Sequence, residues 1–421
     1  MRILLLTQWF QPEPMLKGLS FATALAARGH SVQVLTGFPN YPGGHLYPGY
    51  KIRPWQREVM AGIQINRVAL YPSHDQSGLR RIVCYLTFAF SCLLIGIWRV
   101  HKPDVIYVYN LVTLGPAAFL LRLLCGAKVI IDVQDLWPES VINSGMLHNK
   151  VAHRLLETAC TAIYRQADWV TVLSPGFKEL LVSRGIEPEK IEVIYNWCDE
   201  TKQKPAERDE SLAVETGLAG RFNVMFAGTM GVMQGLDAVL KAAELCTIHT
   251  PNIQFVFIGG GIDRPRLEAM AAELNLPNVR FLPRQPPEMM GRYYALADAL
   301  LVHLKDDPLF RITIPSKTQA YLYMGKPIIM AMTGDSASLV LQSGAGIVCP
   351  PDDPIALAEK VACLAAMKPE EREHMGQAGR NFYHQHLALQ VGVDRFEHRM
   401  LALTGQAPNQ SISTLSTFKL G

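Results

Sequence analysis

The sequence predicts an α/β protein made of two doubly wound, Rossmann-like halves. Three observations predict it. Strand-like apolar runs alternate with helix-like segments from the first residue, the alternation restarts after a charged stretch near the middle, and several strands end in glycine turns. A chain of 421 residues is also too long for one comfortable core, so two domains of roughly 200 residues each are expected.

Taken in order, Arg2 to Leu6 reads as a strand, Gly18 to Arg28 as a helix stopped by Gly29, and Ser31 to Leu35 as a second strand, which completes one βαβ unit. Pro39 to Tyr50 concentrates turn formers and aromatics, the composition of a loop that meets a ligand or partner. Strands follow at Val105 to Val108, Val129 to Val133, Val170 to Leu173 and Ile191 to Ile194. The charged stretch Asp199 to Glu215 reads as a boundary region. Beyond it come strands at Asn223 to Ala227, Ile253 to Ile258, Val279 to Leu282, Ala299 to His303, Ile328 to Met332 and Gly346 to Val348. Helices are expected at Gly235 to Leu245, Arg264 to Leu274, Glu288 to Leu296 and Ile355 to Met367. The expected division is a first domain over 1–198, a second over 199–384, a helix over 385–403 that packs back on the first domain, and a disordered tail over 404–421. In open α/β sheets ligands bind beyond the carboxyl ends of the strands, so with two such halves the natural site is a cleft between them.

Composition narrows the function classes. The chain is 49% hydrophobic and 18% charged, with a mean hydropathy of +0.11, high for a protein that never meets lipid. A net charge of +3 is too mild to argue for nucleic acid. The eight cysteines show no C-x-x-C and no metal-ligand spacing with histidine, so buried thiols in a reducing compartment are expected, without disulfide or structural zinc. The apolar run at the N-terminus is too short for a signal peptide, which points to the cytoplasm.

Ile82 to Trp98 holds seventeen residues without a charge, preceded by Arg80 and Arg81 and followed by Arg99 and Lys102. Three readings stand open: a helix buried in the domain, an interfacial helix gripping a bilayer through its arginine flanks, and a true span. The last is disfavoured because it would interrupt one sheet between two strands.

Pro308 to Ile329 carries the strongest chemical signal. A loop with Arg311 leads into Ile314-Pro315-Ser316-Lys317-Thr318, where a short helix begins that ends at Gly325. Ser316 is positioned to cap that helix, whose first N–H groups lack internal partners. Lys317 stands in the first turn, where the helix dipole disfavours a cation, so an anion beside it is expected, and a diphosphate is the obvious candidate. Two glycine turns follow strands nearby, Phe226-Ala-Gly-Thr-Met-Gly231 and Ile258-Gly-Gly-Gly261, where backbone could approach a phosphate closely. The first βαβ unit lacks the dinucleotide fingerprint, since Thr7 to Gly18 has one glycine, so NAD and FAD are not expected. In the first half, Asp132-Val-Gln-Asp-Leu-Trp-Pro-Glu139 crowds three carboxylates and an amide at a strand end. Asp135 or Glu139 could orient a sugar hydroxyl or take its proton. Asn196-Trp197 closes a further strand near the boundary.

These motifs and their order resemble the retaining glycosyltransferases of family 4, which have the GT-B fold. The resemblance rests on Ala-Ala-Arg-Gly-His-Ser-Val (26–32), Lys-Pro-Asp-Val-Ile-Tyr (102–107), Phe-Ala-Gly-Thr-Met-Gly (226–231), Ile-Gly-Gly-Gly (258–261), Tyr-Ala-Leu-Ala-Asp-Ala (294–299) and Gly-Lys-Pro-Ile-Ile (325–329). Tyr41 to Tyr50, Leu70 to Asp75, Gln134 to Ser140 and Ile314 to Leu322 are similar to a bacterial polysaccharide subgroup described as N-acetyl-L-fucosamine transferases. Departures from the family pattern are specific: Ile312 and Ala320 stand where glutamates are usual, Thr229 and Gln234 where an arginine and a lysine are usual, and Gln134 where a histidine is usual.

The resemblance implies a two-domain GT-B enzyme with a nucleotide diphosphate sugar donor, UDP-linked, and a lipid-linked saccharide acceptor, acting at the inner face of the cell membrane without a metal or other cofactor. Donor contacts are then expected from Gly228, Thr229, Gly260, Gly261, Arg284, Pro315, Ser316, Lys317 and Thr318, and acceptor contacts from Lys17, Gly18, Tyr41, Gln134 and Glu139. Asp135, Lys317 and Arg311 are the expected catalytic groups, the two cations replacing charge that other members place elsewhere. A GT-B nucleotide-sugar 2-epimerase and a nucleotide-sugar-binding subunit without activity remain as alternatives.

Overall fold

The computed structural model describes residues 1–73, 78–140 and 150–407; the His74-Asp75 end of one motif and residues 408–421 of the expected tail lie outside them. Two compact units emerge. The first comprises residues 1–172, 178–194 and those from Val393 onward, the second residues 173–177 and 195–392.

The chain runs β1 (Arg2–Leu6), α1 (Leu19–Ala27), β2 (Ser31–Gly37), β3 (Trp55–Met60), β4 (Ile63–Val68), α2 (Gly78–Leu94), β5 (Val105–Tyr109), α3 (Gly115–Cys125), β6 (Lys128–Val133), α4 (Lys150–Gln166), β7 (Trp169–Val172), α5 (Pro175–Ser183) and β8 (Ile191–Val193). It continues through α6 (Glu210–Thr216), β9 (Phe222–Thr229), α7 (Leu236–His249), β10 (Ile253–Gly260), α8 (Arg264–Glu273), β11 (Val279–Leu282), α9 (Met290–Ala295) and β12 (Ala299–His303). The last elements are α10 (Pro308–Arg311), α11 (Ser316–Met324), β13 (Ile328–Ala331), α12 (Asp335–Ser343), β14 (Gly346–Cys349), α13 (Pro354–Ala366), α14 (Pro369–His386) and α15 (Leu389–Thr404).

Each unit is built on one sheet, in the order β3-β4-β2-β1-β5-β6-β7-β8 in the first and β11-β10-β9-β12-β13-β14 in the second. Every neighbouring pair is parallel except β3 with β4. The central strands are buried nearly end to end, as in a sheet covered on both faces, and their continuous Val/Ile/Leu runs follow from that burial. Two Rossmann-like parallel sheets are thus what the alternation predicted.

The β3–β4 hairpin was not foreseen. Its two-residue turn, Ala61 and Gly62, has both residues at positive φ, the geometry that matches the twist of paired strands. β3 is a half-exposed edge strand, Trp-Gln-Arg-Glu-Val-Met, so it carries no apolar run to announce it. The boundary stretch is also less irregular than expected, because Asp209 caps α6 by accepting from the Leu212 N–H at 3.1 Å.

In the first unit the last helix closes the core. Phe396 of α15 is fully buried and meets Phe21, Tyr107 and Trp169 with ring centroids 5.2–5.5 Å apart. Around this contact Arg28 pairs with Asp394 and Glu397, and Arg395 with Glu192. Truncating Phe396 to Ala removes three ring contacts at once and should cost about 3–5 kcal/mol. Urea unfolding measures this, and a loss below about 1 kcal/mol would mean that α15 is only loosely attached.

Candidate functional site

In the second unit β9 and β10 run side by side to their carboxyl ends, with Gly228 paired to Gly259 and Thr229 to Gly260. Of the glycines expected in turns, Gly228, Gly259 and Gly260 therefore lie in the last residues of strands. Gly228, Gly259 and Gly261 have φ of +133°, +137° and +153°, which L side chains rarely adopt. A Cβ on Gly259 would run into the Gly228 carbonyl, and one on Gly261 into the backbone of Met230. This close stacking is held by Met230 N–H donating to Gly260 O at 2.8 Å and Asp263 N–H to Met230 O at 3.1 Å. Beside it opens a cavity of about 220 Å³ lined by Gly228, Thr229, Gly260, Arg284, Met290 and Tyr294, among others. The structure therefore brings together Gly228, Thr229, Gly260 and Arg284, four of the residues singled out as donor contacts.

Lys317 reaches the same loop. Its Cε and Nζ lie 3.2 and 3.4 Å from where a Cβ on Gly228 would stand. The residue is half-buried as a whole, but the ammonium itself is sealed and has no hydrogen-bond partner; it rests 3.2 Å from the ring centroid of Phe226. Burial pushes its pKa down to about 7. Neither a carboxylate nor a carbonyl compensates the charge, although the loop around it presents small residues and backbone.

Other expectations for this segment are corrected. Pro315, not Ser316, is the N-cap residue of α11, at φ −60° and ψ 139°, and no side chain caps the helix. Proline fixes that extended geometry and places Ser316 inside the first turn. Thr318 is buried and its hydroxyl lies 3.3 Å from that of Ser336, so it serves packing. Arg311 sits in the short helix α10, not in a loop, and its exposed guanidinium makes a two-pronged pair with Asp306 at 3.0 and 3.1 Å. Arg311 therefore already has a counter-charge, and it does not line the glycine-loop cavity.

Sequence reasoning missed His303 at the end of β12. Its Nδ1 lies 2.7 Å from Gln234 O and its Nε2 3.4 Å from Asp352 N. Burial lowers the imidazole pKa, so the ring is neutral, donating from Nδ1 to the Gln234 carbonyl and accepting at Nε2. Gln234 in turn accepts the Gly231 N–H at 2.9 Å on its side-chain oxygen, closing the loop that follows Gly228. A strand-end histidine is the only sequence signal for this arrangement.

In the first unit the strand ends of β5 and β6 carry Asn110 and Asp135. Asn110, at φ +65°, donates to Asp135 Oδ2 at 2.8 Å and accepts the Asp135 N–H at 3.0 Å, which holds an exposed carboxylate in one place. Tyr41 and Tyr85 lie near it. Burial raises both phenols, Tyr85 to about 12, and the Asp135 charge adds to the shift. Trp9 packs against both rings, and Trp137 against Tyr85. Glu13, also unforeseen, folds the loop before Tyr41: its carboxylate accepts N–H groups of Phe10, Asn40 and Tyr41 at 2.8–2.9 Å.

Four residues expected to meet an acceptor have other tasks here. Lys17 is fully buried and pairs with Asp132 at 2.7 Å, within a cluster where Asp132 also accepts from Tyr107, Thr171 and Gln134. Gly18 packs against the Gln11 amide, where a Cβ would collide. Glu139 pairs with Arg184. Among the described residues no group of three or more His, Cys, Asp or Glu is placed to hold a metal ion, and all eight cysteines are free.

Two Rossmann-like units, each on a parallel sheet, are the architecture of a GT-B glycosyltransferase, and two family models match the chain. Residues 19–197 match the glycosyl transferase 4-like domain and residues 209–382 the glycosyl transferases group 1 family. The chain is 26% identical to the glycosyltransferase-named WbjE of Pseudomonas aeruginosa, over 76% of this chain and 78% of that protein. It is 27% identical to WcaI of Escherichia coli K12, named as a colanic acid biosynthesis glycosyl transferase, over 72% and 75%. Among solved structures, a trehalose-phosphate synthase of Burkholderia vietnamiensis superposes with a TM-score of 0.72 at 14% identity, covering 96% of this chain and all of that one. HepE of Anabaena, solved with UDP-glucose, superposes at 0.67 and 15% identity, covering 96% and 100%.

Replacing Gly259 with Ala should disrupt the stacked loops and cost about 2–4 kcal/mol, beyond the ordinary effect of a strand glycine. Thermal unfolding checks this, since a neutral change would mean that the loops can separate without loss.

Proposed function

We propose that this chain transfers a sugar from a nucleotide diphosphate donor, with retention at the anomeric carbon, to a lipid-linked saccharide during assembly of a bacterial surface polysaccharide. We take the donor as UDP-linked and its sugar as N-acetyl-L-fucosamine or a related amino sugar, and place the work at the cytoplasmic face of the membrane. The sugar rests on sequence resemblance alone. The name of WcaI supports the pathway, and the UDP-glucose held by HepE supports the nucleotide.

The single observation that carries the reading is the unpaired, buried Lys317 ammonium against Gly228. A desolvated cation without a counter-ion is costly, and a protein keeps one where a ligand supplies the charge. A diphosphate fits that need, because the glycine backbone lets phosphate oxygens approach and the uncapped start of α11 points N–H groups outward. As the bond to the sugar breaks, negative charge grows on the leaving diphosphate. Lys317 is already fixed and dehydrated, so it stabilises that charge without reorganisation. Asp135, pinned by Asn110, is the carboxylate we assign to orienting the acceptor hydroxyl.

A thermal-shift screen of nucleotide sugars tests the proposal. At least one nucleotide diphosphate sugar should raise the melting temperature of the wild type, and Lys317→Met should abolish that shift and lower turnover by about 10²–10³. Without ligand the same variant should be the more stable protein. The folded pKa of Lys317, about 7, lies below its unfolded value of 10.5, so the unfolded chain binds the proton more tightly. The penalty is full below pH 7 and fades as pH rises toward 10.5, and the advantage of Met should fade with it. If no nucleotide sugar stabilises the wild type, the proposal fails.

A further inference from the structure

Helix α2 has two unlike faces. Cys84, Tyr85, Phe88, Ala89 and Cys92 are at most 8% exposed and form its inner side. Leu79, Val83, Leu86, Phe90 and Leu94 are 37–72% exposed, and Trp98 just beyond is 70% exposed. At 3.6 residues per turn the five exposed positions fall within an arc of about 80°, directly opposite the buried set. Tyr71, also exposed, is held beside this stripe by its N–H donating to Thr87 at 3.0 Å.

We infer that this stripe seats on an anionic phospholipid bilayer, with α2 lying in the plane of the interface. Cations stand at both of its ends, Arg80 and Arg81 in its first turn and Arg99 and Lys102 after it, and no acidic residue occurs between Gly78 and Pro103. Arg99 stacks over Trp55 at 4.6 Å beside the exposed Trp98, the mixture of guanidinium and indole suited to a headgroup layer. That charge pattern argues against a second copy as the occupant, because antiparallel pairing of two such helices sets cations against cations. Gly78–Trp98 is long and apolar enough to cross a bilayer, with a mean hydropathy of 1.8, but its inner face is committed to the first unit's core, so it lies along the surface. The surface gives the proposed lipid-linked acceptor a place to be met, yet its test uses no donor and so stands apart from the transferase reading.

The test is co-sedimentation of the full chain with vesicles of phosphatidylglycerol and phosphatidylcholine, against vesicles of phosphatidylcholine alone. Binding to the anionic vesicles is expected, reduced at least about tenfold without phosphatidylglycerol and about tenfold by the pair Leu86→Gln and Phe90→Gln, with melting temperature unchanged. Should that pair lower the melting temperature, Arg99→Gln with Lys102→Gln decides, and its expected effect is a similar loss of binding to anionic vesicles. Wild-type protein that ignores anionic vesicles overturns the inference. So does a dimer that falls apart in the Leu86/Phe90 variant while vesicle binding is unchanged, and so does a chain that resists alkaline extraction, as a spanning helix would.

Discussion

An uncompensated charge governs the second unit. Among the described residues Lys17 and Lys317 both bury their ammonium groups, and they are treated in opposite ways. Lys17 is paired at 2.7 Å with Asp132, whose remaining lone pairs are taken by Tyr107, Thr171 and Gln134, so the charge is neutralised inside the fold. Such a cluster needs every member, since removing one strands the others. Lys317 meets the ring of Phe226 and the backbone of a glycine strand, and its ammonium has no hydrogen-bond partner among the described residues. Burial alone lowers its pKa, which is the mark of a group whose counter-charge arrives with a ligand.

The surrounding structure makes that arrangement tenable. Glycines at the ends of β9 and β10 remove side chains where an anion would approach, and their backbones lock to each other. His303, neutral and donating to the Gln234 carbonyl, fixes the loop that follows without adding charge. Arg311, by contrast, is neutralised by Asp306 on the surface, so Lys317 does not share its burden with the cation that the sequence offered as its helper. In the first unit the same economy of charge appears at Asp135, the exposed carboxylate that Asn110 orients.

Much of this was legible in the residues. Parallel strands buried on both faces write themselves as apolar runs, and the glycine turns and the lysine after Ile314-Pro315-Ser316 marked the strand ends that form the pocket. The edge hairpin β3–β4 was not legible, because half-exposed strands lack such runs. Nor could spacing separate Lys17 from Lys317, since only the fold shows that one lies beside Asp132 and the other beside glycine. Glu13, Asn110 and His303 were missed for the same reason, since each acts through backbone groups of loops distant in sequence. The Ser316 cap failed on a local rule, because the preceding proline takes the extended position for itself.

The account stands or falls on whether donor binding supplies the missing charge to Lys317. An anion beside the ammonium raises its pKa above the value of about 7 in the free protein, so binding above neutral pH must draw in a proton. The diphosphate of a nucleotide sugar has no titrating group of its own in that range. Isothermal calorimetry at pH about 8, run in two buffers of different ionisation enthalpy, reads that proton directly. Uptake approaching one proton in the wild type, absent from any residual binding by Lys317→Met, is the predicted result; donor binding with no proton uptake would contradict the account.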